Sequence, residues 1–144
     1  MKTFFDTSVL VPAFQEDHVH HQASWRVLDA AEPADSYCGV HSLAEMYSTL
    51  TGIPGPRRRS SIEAMIQIES VRQRLSLVAL DADGYADALA AAAGHHIAGG
   101  AIYDALLAQC ALKAGAEVIY TWNVRDFERC GPEVARRLRT PGTA

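Results

Sequence analysis

The chain has 144 residues, of which 49% are hydrophobic and 21% charged, and its formal net charge is −4. A chain of this size and composition can bury a core without disulfides or a structural metal, and no segment reaches the roughly 20 apolar residues of a membrane span. We therefore expect one domain over residues 1–144, with no secretory signal or membrane span, located in the cytoplasm.

Short strand-like segments alternate with helical patterns along the chain. The predicted strands are residues 3–5, 36–40, 75–80 and 117–121, and the predicted helices are residues 18–31, 42–50, 60–72, 83–93 and 101–113. Parallel strands need a helical crossover to connect them, so this alternation predicts an α/β domain. We expect a three-layer α/β/α arrangement around a central parallel sheet of four to five strands.

Three acidic residues stand alone in stretches that carry no other formal charge when histidine is taken as neutral. They are Asp6 within residues 3–15, Glu45 within residues 36–56 and Asp104 within residues 88–112. A carboxylate in an apolar setting costs several kcal/mol unless it is paired or bound to a metal. Sites in parallel sheets gather beyond the carboxyl ends of the strands, where Asp6 and Asp126 both fall. The pattern therefore predicts one acidic site.

Each acid also has an ordinary structural explanation. Asp6 precedes a predicted helix and could cap it. Ser42 and Glu45 have the spacing of a capping box, in which the glutamate side chain accepts from the backbone of the cap residue. Asp104 falls in the first turn of its helix, where the dipole favours an anion. Asp126 lies in a charged segment and could be surface charge. One acidic site accounts for all four residues together, whereas these explanations require four separate coincidences in one α/β order.

Four motifs follow one another in the chain. They are Phe4-Phe5-Asp6-Thr7-Ser8-Val9-Leu10, then Ser42 three residues before Glu45, then Asp104-Ala105-Leu106, then Thr121, Asn123, Asp126 and Phe127 in the pattern T-x-N-x-x-D-F. In this order they resemble the motifs of the PIN-domain nucleases, and within them the VapC toxins of bacterial toxin–antitoxin pairs. The segment Leu138-Arg139-Thr140-Pro141 resembles the short last strand of that family, so the resemblance covers essentially the whole chain.

The resemblance implies a metal-dependent endoribonuclease that hydrolyses RNA phosphodiester bonds and leaves a 5′-phosphate and a 3′-hydroxyl. Clustered carboxylates repel one another unless a cation neutralises them, and an all-oxygen ligand set selects Mg²⁺ or Mn²⁺. We expect Asp6 and Asp104 to bind the principal ion, and Glu45 and Asp126 to act through water or at a second ion. The supporting residues that we expect to orient ligands or a phosphate oxygen are Thr7, Ser8 and Asn123.

A toxin must be silenced in its own cell, and the resemblance implies a small cognate antitoxin of the VapB type as well as a homodimer. Candidate contacts for RNA or for the antitoxin are Arg57, Arg58 and Arg59, which could equally be a solvated loop. Candidate apolar anchors for a partner are Trp25, Met65, Ile66 and Ile68, although core positions are the better explanation for them.

Several alternatives remain open. The same chemistry could serve housekeeping RNA processing, or the chain could be a PIN-like binding module without activity. A phosphatase with an aspartyl nucleophile typically has a second aspartate two residues on, where this chain has Ser8. The other metal-binding residue types lack ligand spacing, so we expect core thiols and loop or surface imidazoles. These are Cys38, Cys110 and Cys130, together with His18, His20, His21, His95 and His96.

Overall fold

A central strand with a phenylalanine on each face organises the computed structural model, which describes residues 1–142. Phe4 and Phe5 are both buried, and they point to opposite faces because side chains alternate along a strand. Phe5 packs in a core with Leu10, whereas Phe4 packs in a second core with Leu107. The strand is therefore covered on both faces, as expected of a three-layer domain.

The sheet is parallel throughout, with strand order β3-β2-β1-β4-β5, so that the first strand lies at its centre. In chain order the elements are β1 (Thr3–Phe5), α1 (Thr7–Leu10), α2 (His21–Asp29), β2 (Ser36–Gly39), α3 (Val40–Gly52), α4 (Ser61–Arg74), β3 (Ser76–Val78), α5 (Ala82–Gly94), α6 (Ala101–Ala114), β4 (Val118–Tyr120), α7 (Val124–Glu128), α8 (Pro132–Ala135) and β5 (Leu138–Arg139).

The predicted fold class and the order of the long elements are confirmed, whereas several bounds were wrong. The strand predicted over residues 36–40 ends at Gly39, and the helix predicted to begin at Ser42 begins at Val40. The helix predicted over residues 18–31 is shorter and begins at His21. The last two helices were not predicted, because four or five residues are too few to display a helical period.

Gly39 allows α6 to pack closely on the sheet. A Cβ atom at this position would lie 2.6 Å from Cδ2 of Leu107, whose side chain is itself buried. Since that distance is well inside van der Waals contact, any larger residue would force the buried Leu107 side chain to shift. The close approach positions the first turn of α6, which carries Asp104, near the carboxyl edge of the sheet.

Two further observations concern the chain as a whole. Cys38 and Cys110 are buried free thiols, and Cys130 is a half-buried one. Within residues 1–142, no helix has both the length and the apolar character needed to cross a membrane.

A candidate acidic active site

Asp6 is fixed at the carboxyl end of the central strand. Its side chain is only 2% exposed, and Oδ2 accepts hydrogen bonds from Ser8 Oγ at 2.7 Å and from Thr121 Oγ1 at 2.8 Å. Its backbone N–H donates to the carbonyl of Tyr120 on the neighbouring strand at 3.0 Å. Asp6 occupies the cap position before α1, as the capping explanation predicted. Its carboxylate, however, is oriented by two hydroxyl groups.

Burial raises the pKa of the Asp6 carboxyl above its usual value, and the Ser8 and Thr121 hydroxyls offset this only in part. The hydroxyl donors favour the ionised form, whereas the loss of hydration opposes it. An ionised Asp6 would therefore be stabilised further by a cation.

Glu45 faces Asp6 from α3 and does not cap that helix. Thr7 Oγ1 donates to Glu45 Oε1 at 2.9 Å and lies 2.8 Å from Ser42 Oγ. The helix begins two residues before Ser42, and Gly39 occupies the cap position without a side-chain hydrogen bond. The capping-box explanation for Glu45 is therefore wrong. The buried Ser42 belongs to a hydroxyl cluster that orients the glutamate.

Asp104 is a second carboxylate whose pKa is raised by its surroundings. Desolvation, together with the negative charges of Asp6, Asp126 and Glu45, raises the pKa of Asp104 to about 7, while Arg129 acts in the opposite direction. Its side chain is half-buried at the wall of the cleft, not fully enclosed as the apolar helix suggested. Asp6, Asp126 and Glu45 are thus close enough to oppose the ionisation of Asp104.

Asp126 lies at the margin of this cluster. Its side chain is 43% exposed, and Oδ1 accepts from Arg129 Nη2 at 2.8 Å. The surface-charge explanation therefore describes its present contacts, even though its charge acts on Asp104. Asn123, also predicted as a supporting residue, borders the cleft, and its backbone N–H donates to Thr121 Oγ1 at 2.9 Å.

The structure brings Asp6, Glu45 and Asp104 together in one cleft of about 470 Å³. Among residues 1–142, no group of three or more His, Cys, Asp or Glu side chains is arranged so that it could hold a metal ion. Glu45 Oε1 lies 3.9 Å from His41 Nε2, and Asp126 is paired with Arg129, whereas Asp6 and Asp104 have no basic side chain bound to them in the described hydrogen bonds and ion pairs.

Sequence reasoning missed three residues of the cleft wall. His18, His20 and Trp122 line the same cleft as the acids. The histidines lie in a loop before α2, as predicted, but their position in the wall of this cleft was not predicted. No local spacing signals this arrangement, because His20 meets Trp122 across about a hundred residues of sequence.

The arginine run lies outside this cleft. Arg57 Nε is 3.1 Å from Asp17 Oδ2, and the guanidinium groups of Arg58 and Arg59 donate to backbone carbonyls, including that of Phe14. Arg57 and Arg58 are exposed, whereas Arg59 is half-buried and braces the loop.

The proposed apolar anchors divide into two groups. Ile68 is 5% exposed and belongs to the core, and Trp25 packs against that core with Arg74 over its ring. Met65 and Ile66 are 46% and 66% exposed on α4. Core positions therefore explain the first two residues but not the last two.

Comparison with known proteins gives a consistent set of relatives. The family model for the PIN domain matches residues 3–131. Ribonuclease VapC40 of Mycobacterium tuberculosis is 36% identical over 127 residues, which cover 85% of this chain and 87% of the relative. Ribonuclease VapC27 of the same organism is 35% identical over 117 residues, covering 78% and 79%.

Solved structures agree on the fold. The crystal structure of Mycobacterium tuberculosis VapC20, described as a sarcin–ricin loop cleaving toxin, matches with a TM-score of 0.69 at 18% identity and covers 87% of this chain and 92% of its own. VapBC2 from Rickettsia felis, bound to a DNA fragment from its promoter, matches with a TM-score of 0.67 at 17% identity, covering 97% and 98%.

The raised pKa of Asp104 predicts that Asp104→Asn stabilises the metal-free protein at high pH. The pKa is about 7 when folded and 3.8 in the unfolded reference, so the folded state retains this proton longer. Stability contributed by the protonated group is then lost as pH rises between these values. Asparagine does not titrate. In EDTA at pH 8, the free energy of unfolding of the variant should therefore exceed that of the wild type by on the order of 1 kcal/mol after allowance for solvent screening, or a few degrees in Tm. At pH 4 the difference should be small.

Thermal unfolding at the two pH values is the measurement, and Asp87→Asn on the exposed face of α5 is the matched control. The control should change Tm little at either pH. Equal destabilisation of the Asp104→Asn variant at both pH values would show that the pKa of the Asp104 carboxyl is not raised in the folded protein.

Proposed function

The chain belongs to the PIN-domain family and, within it, to the VapC ribonucleases of toxin–antitoxin systems, and on that premise we propose that it hydrolyses RNA in the acidic cleft. The observation that carries this assignment is the convergence of Asp6, Glu45 and Asp104 on one cleft at the carboxyl edge of a parallel sheet. The protein would then be the toxic component of a type II pair, acting on phosphodiester bonds of RNA.

The chemistry of the donor set supports Mg²⁺ or Mn²⁺ at this site. The carboxylates supply oxygen ligands, which hard divalent cations prefer, and desolvation together with their repulsion raises the pKa of Asp104 to about 7. We propose that Asp6 and Asp104 bind the principal ion, and that Glu45 and Asp126 act through water or at a second ion. Such an ion, when bound, would polarise the phosphodiester and activate an attacking water.

The protein's own contribution is orientation. Ser8 and Thr121 hold Asp6 in one position, and Thr7 does the same for Glu45. Fixed carboxylates reduce the reorganisation needed when the substrate binds. The Asn123 side chain, exposed at the rim, would donate to a phosphate oxygen.

Three alternatives fit the cleft less well. A housekeeping processing role shares the chemistry, but membership in the VapC ribonucleases favours the toxin. An aspartyl phosphatase would use Asp6 as a nucleophile and an acid two residues on, yet Ser8 at that position donates to Asp6 Oδ2. An inert binding module would have no need of several acids that destabilise one another.

The toxin role requires a silencing partner, and we propose that the antitoxin covers an apolar face of α4 and its surroundings. Ile62, Met65 and Ile66 are 73%, 46% and 66% exposed, and Tyr47 and Leu77 extend the same apolar region. A patch of this kind suits an amphipathic helix. The solved neighbours that are VapBC assemblies support a partner of this class. The homodimer and an RNA contact through Arg57 and Arg58 stay predictions.

Replacement of Asp6 by asparagine should abolish RNA cleavage without unfolding the protein. The amide keeps the shape of the side chain but removes the negative charge, so kcat should fall by more than about 100-fold, beyond the loss typical of a residue that only supports a ligand. Cleavage of labelled, structured RNA by protein purified free of its partner, with Mg²⁺ or Mn²⁺ and with EDTA, measures this. Asp87→Asn is the control, and full activity of Asp6→Asn would refute the assignment.

Ile66→Asp should weaken binding of the cognate antitoxin, the expected product of a small neighbouring gene, by at least about ten-fold. The change places a charge in an apolar contact that would be desolvated. Titration calorimetry of the purified pair measures the affinity. Leu89→Asp, at a 47% exposed position on α5, should bind as the wild type does. Unchanged affinity of Ile66→Asp would place the antitoxin elsewhere.

A further inference from the structure

One wall of the acidic cleft is made of stacked rings whose arrangement the hydrolytic chemistry does not explain. The His20 ring lies parallel to the Trp122 indole, with centroids 3.7 Å apart and planes 9° from each other. Trp122 Nε1 donates to the buried Ser24 Oγ at 2.9 Å, and its backbone N–H donates to Ser8 Oγ at 2.9 Å. The stack is therefore fixed to the residue that also orients Asp6.

His18 extends this wall and presents a hydrogen-bond donor. Its Nδ1 accepts from the backbone N–H of His20 at 3.0 Å, so in the neutral ring the proton is on Nε2. Its ring is 5.6 Å from that of His20, with the planes inclined at 39°. Burial and the neighbouring His20 lower the pKa of His18, which favours the neutral form at neutral pH. The wall thus offers ring faces together with the N–H donor of a neutral His18.

The acids on the opposite side of the cleft repel RNA, and contacts with this wall can compensate for that repulsion. Asp6, Glu45 and Asp104 repel a phosphodiester backbone, and His18 and His20 are the residues lining the cleft that could carry a positive charge. Where no cation neutralises these acids, affinity for RNA at this position must come largely from uncharged contacts. Aromatic and imidazole rings stack on unpaired bases of any sequence, whereas the bases of a duplex are not accessible to them.

We propose that His18, His20 and Trp122 form the binding wall for one unpaired nucleotide of the RNA substrate, next to the bond held over Asp6 and Asp104. The base stacks on the imidazole–indole pair, and the Nε2–H of His18 donates to a phosphate oxygen of the same nucleotide. This inference rests on the proposed function, since it names the form in which that RNA binds. It predicts a preference for loops, bulges and single strands over continuous duplex.

The chain offers a direct optical probe of this wall, because Trp25 and Trp122 are its two tryptophans. In a Trp25→Phe background, the emission reports on Trp122 alone. Titration of this protein in EDTA with a single-stranded oligoribonucleotide of mixed sequence measures binding without cleavage. We expect quenching of Trp122 on binding, and a duplex of the same sequence should produce little change.

The variants separate stacking from folding. His20→Ala should weaken binding of the oligonucleotide about ten-fold, whereas His20→Phe, which keeps a flat ring, should retain most of the affinity. His95→Ala removes an exposed imidazole outside the cleft and should bind as the parent does. With Mg²⁺ or Mn²⁺ present, His20→Ala should raise KM about ten-fold and change kcat by less than about three-fold.

The outcomes distinguish this inference from the function on which it rests. Normal binding and KM in His20→Ala, with a lower Tm, would show that the stack only anchors the loop, and would overturn the inference while cleavage by the parent upheld the function. If the parent protein binds the oligonucleotide with quenching of the Trp122 emission but cleaves no RNA, the function is refuted and the binding wall is supported. No quenching and no binding by the parent would refute the wall.

Discussion

The desolvation and repulsion of carboxylates at the carboxyl edge of the sheet are the constraint on which the site depends. Asp6 is held there by Ser8 and Thr121, and the charge it carries contributes to the raised pKa of Asp104, about 7. The packing of β1 and α6 imposes a free-energy cost on ionising these carboxylates, and folding alone does not relieve that cost. An arrangement that is unfavourable by itself and favourable with a cation is what a metal-dependent enzyme requires.

The sequence was sufficient to predict the fold class and the placement of Asp6, Glu45 and Asp104 in one cleft, but not which acids have local partners. Ser60 and Glu63 form a complete capping box at the start of α4, whereas Ser42 and Glu45, with the same spacing, do not. The difference arises because β2 runs directly into α3 at Val40, which places Ser42 inside the helix. The isolation of these charges in the sequence was informative because it reflects the apolar surroundings of the acids, a property of the whole fold.

The ring wall could not be predicted for a different reason. Its members are separated by about a hundred residues, and each has an ordinary local role, His20 before a helix and Trp122 after a strand. They meet because the loop before α2 and the end of β4 both border the carboxyl edge of the sheet. Parallel topology thus assembles both the acids and the rings at one edge, from elements distant in the chain.

The central claim is that the crowded carboxylates are neutralised by a divalent cation, and proton release on ion binding tests it most directly. Calorimetric titration of the metal-free protein with Mn²⁺ at pH 7, in two buffers of different ionisation enthalpy, measures that release. Because the pKa of Asp104 is about 7, the account predicts release of about half a proton, and weaker binding without release in Asp104→Asn. No binding, or the same binding and release in the variant, would contradict it.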